Sequence, residues 1–120
     1  MSKDDYHVVL YKVLSYFYEC LKAGASPILE KAQELAAIDP TYWRNALQMA
    51  LDSGYIAGIE RSRYKGARPE EQVWLGSPRI TEKGIEYLME NSLMAKAKTL
   101  LGEAWTLIVE TAVAVTKGLL

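Results

Sequence analysis

The 120-residue chain has one cysteine, Cys20, and one histidine, His7. A single thiol excludes an intramolecular disulfide framework, and one thiol with one imidazole falls short of the four ligands of a structural zinc site. A free cysteine suits a reducing compartment. No apolar stretch follows Met1-Ser2-Lys3-Asp4-Asp5, so no secretory signal is expected at this start. The longest apolar run, near residues 104–115, is interrupted by Glu110 and is shorter than the roughly 20 residues of a membrane span. The expectation is a cytoplasmic protein with no membrane partner.

Catalytic patterns are missing as well. Gly66 and Gly84 stand without the glycine and lysine spacing of a phosphate loop. His7 and Cys20 both fall on the first expected helix, near opposite ends, which leaves no nucleophile and base set. His7 reads as a helix-boundary residue. Glu82, Glu86 and Glu90 recur every fourth residue, the pattern of a solvated helix face. There is no internal repeat and no low-complexity segment. The sequence therefore argues against an enzyme and implies no cofactor and no metal.

An excess of one charge is lacking too, since the formal net charge is -1. The distribution is uneven, however: residues 41–79 hold six cations against four acids. A local surplus can steer a polyanion even where the whole chain cannot.

Half the residues are hydrophobic and 24% are charged, the composition of one globular domain. Tyr6, Val9, Leu10, Val13, Leu14, Phe17, Cys20 and Leu21 recur at helical spacing, which predicts a helix over 4–23 with one buried face, stopped by Gly24. Ser26-Pro27 reads as a cap followed by proline at the first helical position, so a second helix is expected over 27–37. Its inward face would be Ile28, Leu29, Ala32, Leu35 and Ala36. Asp39-Pro40 repeats the signal and starts a third helix over 40–53, burying Trp43, Ala46, Leu47, Ala50 and Leu51. Two short helices around a tight break make a helix-turn-helix.

Tyr55-Ile56-Ala57-Gly58-Ile59 is β-prone, residues 61–72 are polar, and Gln72-Val73-Trp74-Leu75 alternates again. This predicts a hairpin, or wing, spanning 55–76, with Gly76-Ser77-Pro78 as a turn and Arg79-Ile80 as the last paired residues. Thr81 is an N-cap for a helix over 81–91 carrying Ile85, Leu88 and Met89. Ser92 caps a last helix over 93–117, with Leu93, Ala97, Leu100, Leu101, Ala104, Ile108, Ala112 and Val115 on one face. Gly102 would bend or break it.

The elements Leu51-Asp52-Ser53-Gly54-Tyr55-Ile56-Ala57-Gly58-Ile59 and Ile80-Thr81-Glu82-Lys83-Gly84-Ile85-Glu86-Tyr87-Leu88-Met89-Glu90-Asn91-Ser92 resemble the YjcQ family of small bacterial and prophage proteins. The likeness runs from the third helix to the start of the last. It implies a winged-helix fold and supplies no catalytic residues, since the family has no established biochemical function. The longer N-terminal helices and the more apolar C-terminus depart from the short members. The expected fold class is thus α+β, mostly helical: a winged helix-turn-helix domain over 1–92, with a C-terminal apolar helix over 93–120 for packing or dimerisation.

Two functional readings follow. The first is a DNA-binding protein, a prophage-related transcriptional regulator. The third helix offers Thr41, Tyr42, Asn45 and Gln48 opposite its buried face, with Arg44 to one side. Asn and Gln can pair with adenine and Arg with guanine in a major groove. The wing offers Arg61, Arg63, Lys65 and Arg68, cations that can follow phosphates. Against this, Asp52 would repel phosphate, and Glu70 and Glu71 partly neutralise the wing. The second reading is an interaction module whose winged-helix scaffold does not touch DNA. The last helix is apolar nearly all round, which predicts burial on more than one side and a homodimer touching through Trp105, Ile108, Val109, Ala112 and Val113.

Overall fold

The computed structural model describes residues 1–62, 68 and 73–120. The described residues form an α+β domain of five helices and one antiparallel strand pair. Helix α1, Tyr6–Ala23, lies at the centre and touches the four other helices and the second strand. Ten of its 18 residues are buried, including Val8, Tyr11, Lys12 and Tyr16 outside the expected stripe. One buried face is therefore a correction: the last helix covers a second side. Leu21, expected inside, is exposed. Asp5 precedes α1 without capping it, because its carboxylate accepts the Ser2 backbone N–H at 3.0 Å and the Ser2 hydroxyl at 2.9 Å. Those bonds hold the Asp5 carboxyl below its ordinary range.

Helix α2, Leu29–Ala36, starts two residues later than Ser26-Pro27 suggested. Ile28 is extended, and its N–H donates to the Tyr16 hydroxyl at 3.1 Å, so the helix is anchored by α1 rather than by a serine cap. Ile28 is exposed, while Ala32 and Ala36 are buried. Helix α3, Pro40–Asp52, follows the sequence closely. Asp39 Oδ2 accepts the N–H groups of Thr41 and Tyr42 at 2.9 and 3.2 Å, and Trp43, Ala46, Leu47 and Ala50 are buried.

Strands β1, Ile56–Arg61, and β2, Trp74–Ile80, pair antiparallel. Gly76-Ser77-Pro78 is not a turn but part of β2. The register shifts between Ala57 and Ile59, so an irregularity absorbs Ser77 and Pro78 where proline has no N–H to give. Gly76 has φ +107, and a side chain there would strike the Gly58 carbonyl. The bulge thus needs glycine on both strands.

Helix α4, Glu82–Glu90, is capped by Thr81, whose Oγ1 accepts the Gly84 N–H at 3.0 Å. Met89, expected inside, is exposed. Helix α5, Ser92–Thr116, is capped by Asn91 rather than Ser92, through Oδ1 accepting the Leu93 N–H at 2.8 Å. Gly102, at φ 70 and ψ -169, breaks it as expected. Beyond the break the helix is held to α1. Trp105 Nε1 donates to Ser15 Oγ at 3.0 Å, the Tyr16 and Thr116 hydroxyls meet at 2.6 Å, and Lys117 Nζ donates to the Ala23 carbonyl at 2.9 Å. By length and composition alone, α5 is long and apolar enough to cross a membrane.

The two sequence elements that carry the family resemblance form opposite sides of one joint. The Thr81 hydroxyl donates to the Gly54 carbonyl at 2.5 Å, and the Thr81 N–H donates to the Tyr55 carbonyl at 3.0 Å. A Cβ at Gly84 would strike the Tyr55 carbonyl and press on Ile80, so only glycine lets α4 abut the start of the hairpin. Lys83 Nζ lies 5.7 Å from the Tyr55 ring centre, and Tyr55 stacks on Tyr87 at 4.4 Å.

Candidate nucleic-acid interface

The outer face of α3 follows from the burial of its inner one. With Trp43, Ala46, Leu47 and Ala50 committed to the core, the helical period turns Thr41, Asn45, Gln48 and Asp52 the other way. These four positions span about 16 Å, close to the reach of a helix laid in a major groove. Thr41, Asn45 and Asp52 are exposed, and Gln48 and Arg44 are half-buried. Arg44 donates to Thr41 Oγ1 at 3.3 Å, and Gln48 Nε2 donates to Asp52 Oδ1 at 2.9 Å.

Two of the residues named from sequence have internal work. The Tyr42 hydroxyl donates to the Asp4 carbonyl at 2.6 Å and ties the N-terminus to α3. Desolvation, reinforced by Asp4 and Asp5, raises the pKa of that hydroxyl. Arg61 donates to the Arg44 carbonyl at 3.0 Å and lies 5.3 Å from the Trp74 ring centre. Its Nε is buried without a hydrogen-bond partner among the described residues. Arg61 is therefore a clasp between β1, β2 and α3. Arg68 is exposed, and Arg63 and Lys65 lie outside the described residues. The structure thus assembles Thr41, Arg44, Asn45 and Gln48 on one helix.

Sequence reading missed the cleft beside that helix. Leu29, Glu30 and Gln33 of α2, Pro40, Trp43 and Arg44 of α3, and Val73 and Trp74 line an open space of about 250 Å³. Its signal was the pair of tryptophans, Trp43 on α3 and Trp74 at the start of β2.

Other polar groups are dispersed. Among the described residues no three His, Cys, Asp or Glu side chains gather closely enough to hold a metal ion. Cys20 is buried, and desolvation pushes its thiol pKa up, away from the thiolate a nucleophile needs. His7 Nδ1 lies 3.5 Å from the Tyr87 hydroxyl.

The contact surface expected on α5 requires correction. Trp105, Val109, Ala112 and Val113 are buried within the chain, because α1 occupies that face. Only Ile108 of the five stays open, at 46% exposure, beside Leu107 at 66%.

A family described as YjcQ protein matches residues 11–104 of this chain. No curated protein and no solved structure matches. The match extends over most of the chain, from within α1 to just past the Gly102 break, so the chain belongs to the YjcQ family.

Proposed function

We propose that this member of the YjcQ family is a DNA-binding winged-helix protein, with α3 as its reading helix and the β1–β2 hairpin as its wing. The observation that carries this reading is the outward row of Thr41, Asn45 and Gln48, with Arg44 beside it, on a helix directly followed by the hairpin. The element order α1, α2, α3, β1, β2 and the tight break between α2 and α3 support the winged-helix assignment. On this reading Asn45 and Gln48 address adenine edges and Arg44 a guanine, while Arg68, Arg63 and Lys65 meet phosphates. Gln48 would have to exchange Asp52 for a base edge, and Asp52 would stand against the phosphate field. A prophage-related regulatory role accords with such chemistry.

A second reading, an interaction module without DNA, is favoured by the Gln48–Asp52 bond and by the internal engagement of Arg61. Titration of labelled duplex DNA over a range of salt separates the two. DNA binding predicts an affinity that falls steeply with ionic strength, and a slope reduced by about one unit for each phosphate contact removed. Arg44→Ala with Asn45→Ala should relax sequence preference, each base contact being worth about 1–3 kcal/mol. Absence of binding at low salt leaves the interaction module.

A further inference from the structure

The second half of α5 divides into three faces. Trp105, Val109, Ala112 and Val113 are buried within the chain, while Glu103, Thr106 and Glu110 form an exposed polar side. Between them Ala104, Leu107, Ile108, Thr111 and Val115 are exposed and carry no charge. Ala104, Ile108, Thr111 and Val115 are spaced four, three and four residues apart, the period with which one helix seats against another. Helix α2 extends the same surface: Leu35, with Lys31 and Glu34, forms the far wall of an open groove of about 450 Å³ along Leu107, Ile108 and Val115. Lys31 and Glu34 are paired with each other at 2.9 Å, so the groove has no uncompensated charge to repel an apolar visitor.

We propose that a second copy of this chain occupies this stripe, its α5 antiparallel to the first across a two-fold axis. The sizes of the side chains argue for that occupant. Antiparallel pairing about a point between residues 109 and 110 sets Ala104 against the partner's Val115, and Ile108 against the partner's Thr111. Each contact then matches a larger side chain with a smaller one, as close packing requires. A parallel arrangement would stack Ile108 on itself and leave a void at Ala104. The surface is self-complementary, which a two-fold interface demands. Its extent is modest: the row from 104 to 115 covers about 16 Å, which places the interface at the small end of specific contacts.

Sedimentation of the full chain from about 1 to 100 μM tests this directly, independently of any DNA binding. The mass should rise from one chain to two. Ile108→Asp should weaken association about 100-fold or more, because an unpaired carboxylate would enter the seam. At about 1 μM, where both proteins are single chains, its circular dichroism and melting should match those of the unmodified chain, since residue 108 is open in the single chain. The register has its own readout. Under mild oxidation Ala104→Cys mixed with Val115→Cys should cross-link between chains. Neither should cross-link alone, because like positions would lie about 16 Å apart and a disulfide needs Cα atoms within about 7 Å. Three results would overturn the proposal: a monomer at 100 μM, cross-linking of either variant with itself, or a monomer that instead partitions into phosphatidylcholine–phosphatidylglycerol vesicles.

Discussion

Lys12 shows how a single residue can be placed against its chemistry. It is 8% exposed on the central helix, and its ammonium donates to the Ala36 carbonyl at 3.4 Å and lies 5.9 Å from the Trp105 ring centre. Ala36 ends α2, so the charge meets the negative end of a helix dipole, but among the described residues no carboxylate pairs with it. Desolvation, aided by Lys3, lowers its pKa. The folded state therefore binds the proton less tightly than the unfolded chain, and this residue opposes folding in full below its depressed folded pKa, the penalty fading as pH rises from there to the ordinary lysine value. Lys12→Met should stabilise the protein at neutral pH by about 1 kcal/mol, because a buried charge replaced by an apolar chain of similar length is often neutral or favourable. The advantage should shrink as pH approaches the ordinary lysine range. Urea midpoints at pH 7 and pH 10 measure both effects, and a destabilised variant at pH 7 would mean that the helix-end contact outweighs burial.

Among the elements, the joint between the hairpin and α4 has the sharpest requirement. Thr81 satisfies carbonyls of Gly54 and Tyr55 while capping α4, and Gly84 lets the two backbones touch. Helix propensity alone would make Gly84→Ala stabilising by about 1 kcal/mol. Contact with the Tyr55 carbonyl reverses the sign, and a loss of about 1–3 kcal/mol is expected. Glu86→Ala, on the exposed side of α4, should change stability by less than about 0.5 kcal/mol. Chemical denaturation of the pair distinguishes propensity from contact. The same joint explains why Gly-Tyr-Ile and Thr-Glu-Lys-Gly are informative together, since each supplies the other's hydrogen-bond partner.

For the molecule as a whole, the end where α1, α3, α4 and the hairpin converge is rich in phenols. Tyr6 is half-buried there, and its pKa is pushed up to about 12, chiefly by desolvation and then by Tyr55, Tyr87 and Tyr42. Its folded pKa lies above the unfolded value near 10, so the folded state keeps the proton longer. That contribution is fully present below pH 10 and is lost as pH climbs toward 12. Tyr11, Tyr16, Tyr42 and Tyr87 shift in the same direction. Stability should therefore fall across this window, and Tyr6→Phe should fall less steeply than the unmodified chain. Denaturant midpoints at pH 9, 10 and 11 provide the measurement, and parallel slopes would count against Tyr6.

The sequence by itself determined the order of the helices and of the two strands, because caps, glycine stops and the periods of 3.6 and 2 are local properties. Asp39-Pro40 and Thr81 were legible to the residue for that reason, as was the break at Gly102. The outward row on α3 was legible too, since burying Trp43, Ala46, Leu47 and Ala50 leaves Thr41, Asn45 and Gln48 no other side. Tertiary structure alone decided what covers an apolar surface. Periodicity marks a face as apolar but does not say which neighbour meets it, so Trp105 and Val109 turned out to face α1 while Leu107 and Ile108 stayed open. Long-range hydrogen bonds were equally hidden. Tyr16 overrode the serine-proline start of α2 from 12 residues away, and Arg61 was drawn from the hairpin to the Arg44 carbonyl, 17 residues back in the chain. Those partners meet only once the helices have packed around α1.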